Sequence, residues 1–415
     1  MKSIISSQEE SLHQGFDFTL PQGHTARYVT DRTPSVFFPS GGSSYSPAQT
    51  RELQFTLSSV ASFADRSTLM LKMTVRNTDA AHDLIPRNGA GAAMFQSMTV
   101  KAAGQIVEHI TDYHRLHVMA ETILLATEKR KNVADLCFGQ GGDHAPDSGH
   151  MLGEAIAANT SRTVLFKPLL GILSMNKAYP LWAAPLQFIF TLADAEQAFA
   201  ETANGVNRSQ SFVVEAPQIL CSTMEVDSSL LESYRKHILS GGELTFELNS
   251  WSNISSAVTG PRFDLALNRS LHMCHGLYAT FMPAAAVNTR MTNSFLAPTG
   301  DDVSVYLQVG SKKLGHPFQG MAELLYRLHE GVGVQNSAAH TLSVNMAQFK
   351  GSKFLMLLDL STYPEAKFSG RSLEGQSATL HVENWASAAD IARCFISLSH
   401  QVIFKVDQDG VRVFN

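Results

Sequence analysis

The feature that most constrains this chain is an order of elements that is run through once and then run through again. In the first half, Leu53, Phe55 and Leu57 alternate with polar neighbours, and so do Leu69, Leu71, Met73 and Val75. Alternation of period two predicts strands with one buried face. Met98 to Val107, interrupted at Ala103-Gly104-Gln105, predicts a hairpin, and Thr163 to Phe166, Leu186 to Leu192 and Phe212 to Met224 predict further strands. Among them one helix is predicted from about Thr111 to Lys131, with Leu116, Met119, Ile123 and Leu124 on one face. About 190 residues later Leu244, Phe246 and Leu248 alternate as Leu53, Phe55 and Leu57 do, and Leu271 and Met273 open a candidate counterpart of the second strand. Val303 to Ser311 matches Val100 to Gln105 as a strand ending in a glycine turn, and a helix from about Phe318 to Glu330 follows. It carries Tyr326-Arg327-Leu328-His329 where the first carries Tyr113-His114-Arg115-Leu116-His117. Phe354 to Leu360, Ala378 to Val382, Phe395 to Val406 and Val411 to Phe414 complete the second pass. A repeated order of this kind predicts two all-β sandwiches in tandem, each with one inserted helix.

The divide falls between Val226 and Gly242. Asp227 or Ser228 is placed to cap a short helix through Leu230, Leu231, Tyr234 and Ile238, and Gly241-Gly242 to end it. The expected division is an N-terminal arm over 1–15, a first sandwich over 16–226 and a second over 227–415 that begins with a bridging helix at 227–241. A chain of 415 residues has ample core for this. Charged residues make up 17% of it, below the roughly 25% of average domains, so uncharged polar side chains must cover much of the surface or other chains must cover the protein. The net charge of −5 and the lack of any Lys/Arg block argue against a nucleic-acid surface. Met1 to Gln14 lacks the apolar core of a signal peptide, and Asn176, Lys177, Pro180 and Pro185 interrupt the most apolar stretch, Leu169 to Phe190, so a soluble protein is expected.

Catalysis and metal binding need converging groups, and the candidates are weak. His114 and His117, with Asp112 and Glu121 nearby, have a spacing that can hold a metal, but H-E-x-x-H is absent and surface or interface histidines are expected. His272-x-Cys274-His275 reads as a core thiol between histidines, since neighbours on a strand point to opposite faces. Cys137, Cys221, Cys274 and Cys394 form no C-x-x-C pair. Asp143, His144, Asp147 and His150 lie in a long loop without calcium-loop spacing. Gly89-x-Gly91 and Gly331-x-Gly333 are incomplete as nucleotide fingerprints, and Ser174-x-x-Lys177 and Ser233-x-x-Lys236 lack the partner motifs of acyl transferases. Trp182, Trp251 and Trp385 read as packing residues, with glycan stacking as the alternative. No catalytic, cofactor or metal residue is assigned.

Phe37-Phe38-Pro39 before a first strand, Tyr113-His114-Arg115-Leu116-His117, Pro185-Leu186-Gln187-Phe188 and Asp227 to Tyr234 at the bridge are similar to segments of small polinton-like and related capsid sequences. The whole chain resembles a double jelly-roll major capsid protein of the lineage of adenoviruses and membrane-containing tailless phages. The resemblance implies two eight-stranded jelly rolls, a homotrimer forming a pseudo-hexagonal capsomer, and an icosahedral DNA-virus shell. It implies no enzymatic activity and no cofactor. The partners it implies are neighbouring capsomers, penton and minor capsid proteins, and a membrane or other layer beneath, without direct nucleic-acid contact. The location it implies is the virion, after synthesis in the host cytoplasm. The alternative is a glycan-binding or glycan-hydrolysing tandem sandwich, with Asp194, Glu196 and Glu383 as its available carboxylates.

Overall fold

The computed structural model describes residues 29–414 apart from 88–90, 125–131, 140–152, 176, 200–206, 259, 284–294, 334–341, 343, 363–369 and 387–390. The first half contains β1 (Val29–Phe37), β2 (Ser44–Tyr45), β3 (Glu52–Leu57), β4 (Phe63–Asn77), β5 (Phe95–Ala102) and β6 (Gln105–Ile110). After helix α1 (Tyr113–Met119) come β7 (Ser161–Phe166), β8 (Tyr179–Pro180), β9 (Leu186–Leu192) and β10 (Phe212–Val226). Helix α2 (Ser228–Leu239) bridges to β11 (Leu244–Ala257), β12 (Phe263–Ala266), β13 (Cys274–Pro283), β14 (Ser304–Val309) and β15 (Lys312–Gln319). Helix α3 (Gly320–Val332) precedes β16 (Met356–Asp359), β17 (Ala378–Glu383), β18 (Ile391–Asp407) and β19 (Gly410–Phe414).

Four antiparallel sheets result. In the first half they run β1-β10-β4-β7, with β2 on β10 and β8 on β4, and β3-β9-β5-β6. In the second they run β11-β18-β13-β16, with β19 on β18, and β12-β17-β14-β15. Leaving out the two-residue β2 and β8 and the terminal β19, each half has eight strands among the described residues. Counted in chain order, both halves pair them first-eighth-third-sixth and second-seventh-fourth-fifth, with a helix between the fifth and sixth.

This topology corrects the alignment expected from sequence. Leu244 to Leu248 belongs to β11, which occupies the place of β1, and the true counterpart of β3 is β12. The physical reason is that β1 pairs only with β10, at the sheet edge, contains Pro34 and exposes most of its residues, so it carries no buried alternation to match. Leu271 and Met273 precede β13 rather than open it. Tyr113 to His117 begins α1 whereas Tyr326 to His329 lies in the later turns of α3, so the two motifs are not equivalent. As a regular helix α1 ends at Met119 and continues as a π-turn over Ala120–Leu124, and the expected extension to Lys131 falls outside the described residues.

The cores follow from the alternation. Leu53, Phe55 and Leu57 of β3 and Leu186, Phe188, Phe190 and Leu192 of β9 turn inward against Leu69, Leu71, Met73 and Val75 of β4. Phe95 stacks on Phe166 of the opposite sheet at 5.4 Å between ring centres. In the second half Trp385 packs on Phe281 at 4.3 Å and Phe354 at 5.7 Å. Ala103 and Gly104, both at positive φ (44° and 87°), close the β5–β6 hairpin as the tight two-residue turn requires.

Candidate functional site

One place where the chain commits polar groups to burial is the junction of its two halves. Opposite Val100 and Lys101 the β5–β6 register slips, so that Val107 and Glu108 are both buried in succession. Such a bulge re-aims a side chain, and Glu108, 2% exposed, accepts three hydrogen bonds. Gly171 and Ile172 donate backbone N–H groups at 2.8 and 3.3 Å, and the Ser250 hydroxyl of β11 donates at 2.8 Å. Burial raises the Glu108 carboxyl to about 7, against the opposing pull of these donors. Gly171 is itself pressed on β11, where a Cβ would lie 2.1 Å from the Asn249 carbonyl oxygen. Around this clamp Tyr179 packs on Phe246 at 5.7 Å, Lys177 donates to the Thr245 carbonyl at 2.8 Å, and the Asn253 amide donates to the Thr111 carbonyl. Helix α2 straps the same junction: Tyr234 meets Phe63 edge-on, and Arg235 lies over Trp182 and donates to the Val60 carbonyl at 2.8 Å.

A cleft of about 200 Å³ opens elsewhere between the halves. Arg87, Asp112, His114 and Arg115 line it from the first half, together with Asp194 and Glu196, and Met282, Arg393 and Phe395 line it from the second. Of the carboxylates available to a glycan hydrolase, Asp194 and Glu196 therefore share a cleft, with Asp194 held by Arg51 at 2.8 Å. Glu383 stands apart on β17, paired with Arg262 at 3.2 Å, so the three do not converge.

The other sequence candidates are dispersed. His114 and His117, expected as surface or interface histidines, are buried within the chain because α1 lays them against the core; His117 Nδ1 lies 3.3 Å from Glu121 Oε1. Cys274 is a core thiol, while His272 faces outward to Glu374 at 3.3 Å. Among the described residues no three His, Cys, Asp or Glu side chains gather as a metal site. Asp143, His144, Asp147 and His150 lie outside the described residues. Ser174 and Lys177 donate to different carbonyls, Lys236 pairs with Glu232 along α2, and Gly333 ends α3 at φ 77°. Trp182 and Trp385 pack against Phe63 and Phe281, and Trp251 against Tyr278. Among the described residues no helix is long and apolar enough to cross a membrane. Sequence reasoning missed Glu108, Gly171 and Ser250, because an acid within a strand reads as a solvent-facing residue.

Two pairs of sheets with one shared strand order, each with a helix between its fifth and sixth strands, define a double jelly roll. No protein-family model matches the sequence, and no match to a curated protein is found. The likeness is one of structure. VP54 of PBCV-1, as fitted into a cryo-EM reconstruction of the virophage Sputnik, matches with a TM-score of 0.65 at 10% identity, over 97% of this chain and 99% of that one. The Faustovirus major capsid protein matches at 0.56 and 9%, over 98% and 97%, and the mavirus major capsid protein at 0.53 and 10%, over 97% and 95%. The chain has the double jelly-roll fold of these proteins.

Proposed function

We propose that the chain is a viral major capsid protein whose trimers form pseudo-hexagonal capsomers of an icosahedral DNA-virus shell. The observation that carries this reading is the double jelly roll spanning at least 97% of the chain in common with three capsid proteins. Two rolls of one topology, clamped through Glu108 and strapped by α2, amount to two similar building positions. Three chains closed by a rotation supply six. The low charged fraction suits broad contacts between copies. In this reading the chain divides into an arm at 1–15, a first roll at 16–226 and a second at 227–415, a division supported by the sheets' separation at the capped helix α2. The arm reaches a neighbouring capsomer or an underlying layer. Penton and minor capsid proteins, and a membrane beneath, complete the partners; the role is structural, in the virion, after synthesis in the host cytoplasm. Light scattering on the purified protein should give three times the chain mass, and negative-stain images should show six-lobed rings. A stable monomer at micromolar concentration would refute the proposal.

A further inference from the structure

Each roll presents its first strand as a sheet edge and its fifth strand, with the helix that follows, as a seat for such an edge. Within one chain one edge meets one seat. β11, the edge of the second roll, is held by Glu108 of β6, by Gly171 and by residues 177–179, and α1 reaches the same roll through Arg115, which lies over Phe395 at 5.1 Å. The matching edge of the first roll, β1, is mostly exposed, with Val36 at 46% and the adjoining Phe38 at 66%. The matching seat of the second roll, β15 with α3, exposes Lys312, Lys313 and Tyr326. A free edge and a free seat of one topology are the two sides of a head-to-tail contact between copies, the kind that closes into a ring.

The strand ladders say which residues correspond. Leu71 of β4 and Leu277 of β13 both face inward, at or next to the last pair with β7 and β16. They oppose Ile219 and Leu398, which in turn oppose Phe37 and Ser252. Six residues back, the ladder pair Asp31–Glu225 of the first roll therefore stands where Phe246–Phe404 stands in the second. Within the chain Phe246 and Phe404 stack at 5.0 Å and are covered by Tyr179, at 5.7 and 6.3 Å, with Lys177 over Phe246. The counterpart of that cover is the segment at Arg371, which bridges to Cys274 at the start of β13 as Tyr179 bridges to Ala64 near the start of β4. Arg371 leaves Nε buried without a partner, and Glu374, three residues on, is held by His272 at 3.3 Å. Asp31 and Glu225 are exposed like charges opposite each other; the Asp31 carboxylate accepts from the Arg32 N–H and the Thr33 hydroxyl, while the Arg32 guanidinium is held by Asp65. Among the described residues Arg371, Asp31 and Glu225 form no ion pair. We propose that β1 docks on the second roll of another copy of this chain, against β15, α3 and the segment at Arg371, with Arg371 set between Asp31 and Glu225. The proposal rests on the trimer reading above and names its contact. The opposite charges fix the register, and exposed apolar side chains such as Val36 and Phe38 supply the adhesion.

The test uses the full chain. With Asp31→Cys and Arg371→Cys introduced together, a short bismaleimide should give covalent dimers and trimers on a denaturing gel and nothing larger. The four native cysteines are buried, so the wild type should stay uncrosslinked. Arg371→Glu brings three carboxylates together and should raise the concentration at which trimers dissociate about tenfold or more; adding Asp31→Lys and Glu225→Lys to the same chain should restore it. Should Arg371→Glu fail to fold, Asp31→Lys with Glu225→Lys alone, at exposed side chains, brings three cations together and should weaken trimers likewise. Wild-type trimers that the bismaleimide leaves unlinked in the cysteine variant, or that the charge reversals leave unchanged, would overturn this contact while the trimer reading stood. A wild-type monomer would overturn both.

Discussion

Glu108 makes the join between the rolls respond to protons. Its carboxyl is raised from 4.5 to about 7, so the folded protein holds a proton that the unfolded chain has released. Stability contributed by that proton is full below about 4.5 and is lost as pH rises through about 7, a change of about 3 kcal/mol. His114 and His400 act with the opposite sign: burial lowers them to about 3 and about 4, so they lose stability as pH falls below 6.5. Comparison with Glu108→Gln separates the two. Urea unfolding at pH 5 and pH 8 should show the wild type losing more stability, or gaining less, than the variant as pH rises. Gly171 offers a second test, because a Cβ there meets backbone that cannot swing aside. Gly171→Ala should cost about 3 kcal/mol or more in thermal or urea unfolding. Gly104→Ala, at φ 87° with nothing within 4 Å of a Cβ, should cost only about 1 kcal/mol. Neither Glu108 nor Gly171 was legible in the sequence, since their partners lie far along the chain: Glu108 meets Gly171, Ile172 and Ser250, and Gly171 meets Asn249 of β11.

Elements were legible in proportion to how one-sided their burial is. The strands β3, β5 and β7 and the long β10 carry alternation, and the sequence marks them to within a few residues, while β4 begins at Phe63, ahead of the alternation that starts at Leu69. The edge strand β1 has no buried face and contains Pro34, so it carries no alternation that would mark it in the sequence. Missing it shifted the internal repeat by one strand. The bridging helix was readable because its ends have chemical signatures: the Asp227 side chain accepts from the Ser229 N–H at 2.9 Å, and Gly241 follows at φ 86°. Asp227→Ala should therefore cost about 1 kcal/mol by urea unfolding, with Asp227→Asn nearly neutral, since asparagine caps equally well.

At the scale of the molecule the sequence revealed the duplication, and the structure added how the copies are joined. If trimers form through apolar and uncharged faces, screening should leave them intact, so sedimentation in about 1 M salt should still show trimers, with dissociation only on heating or denaturation. Removing residues 1–15 should leave trimers in place and impair shell closure, read by electron microscopy of assembly reactions. The two rolls share one topology with different trimmings: among the described residues β19 accompanies only the second, and β2 and β8 accompany only the first. In the proposed trimer the trimmings would alternate around a ring of six rolls, so the tile would be hexagonal in outline and triangular in detail. A sixth of a turn would change what each neighbour meets, and every tile in such a lattice would carry a direction that the next one can read.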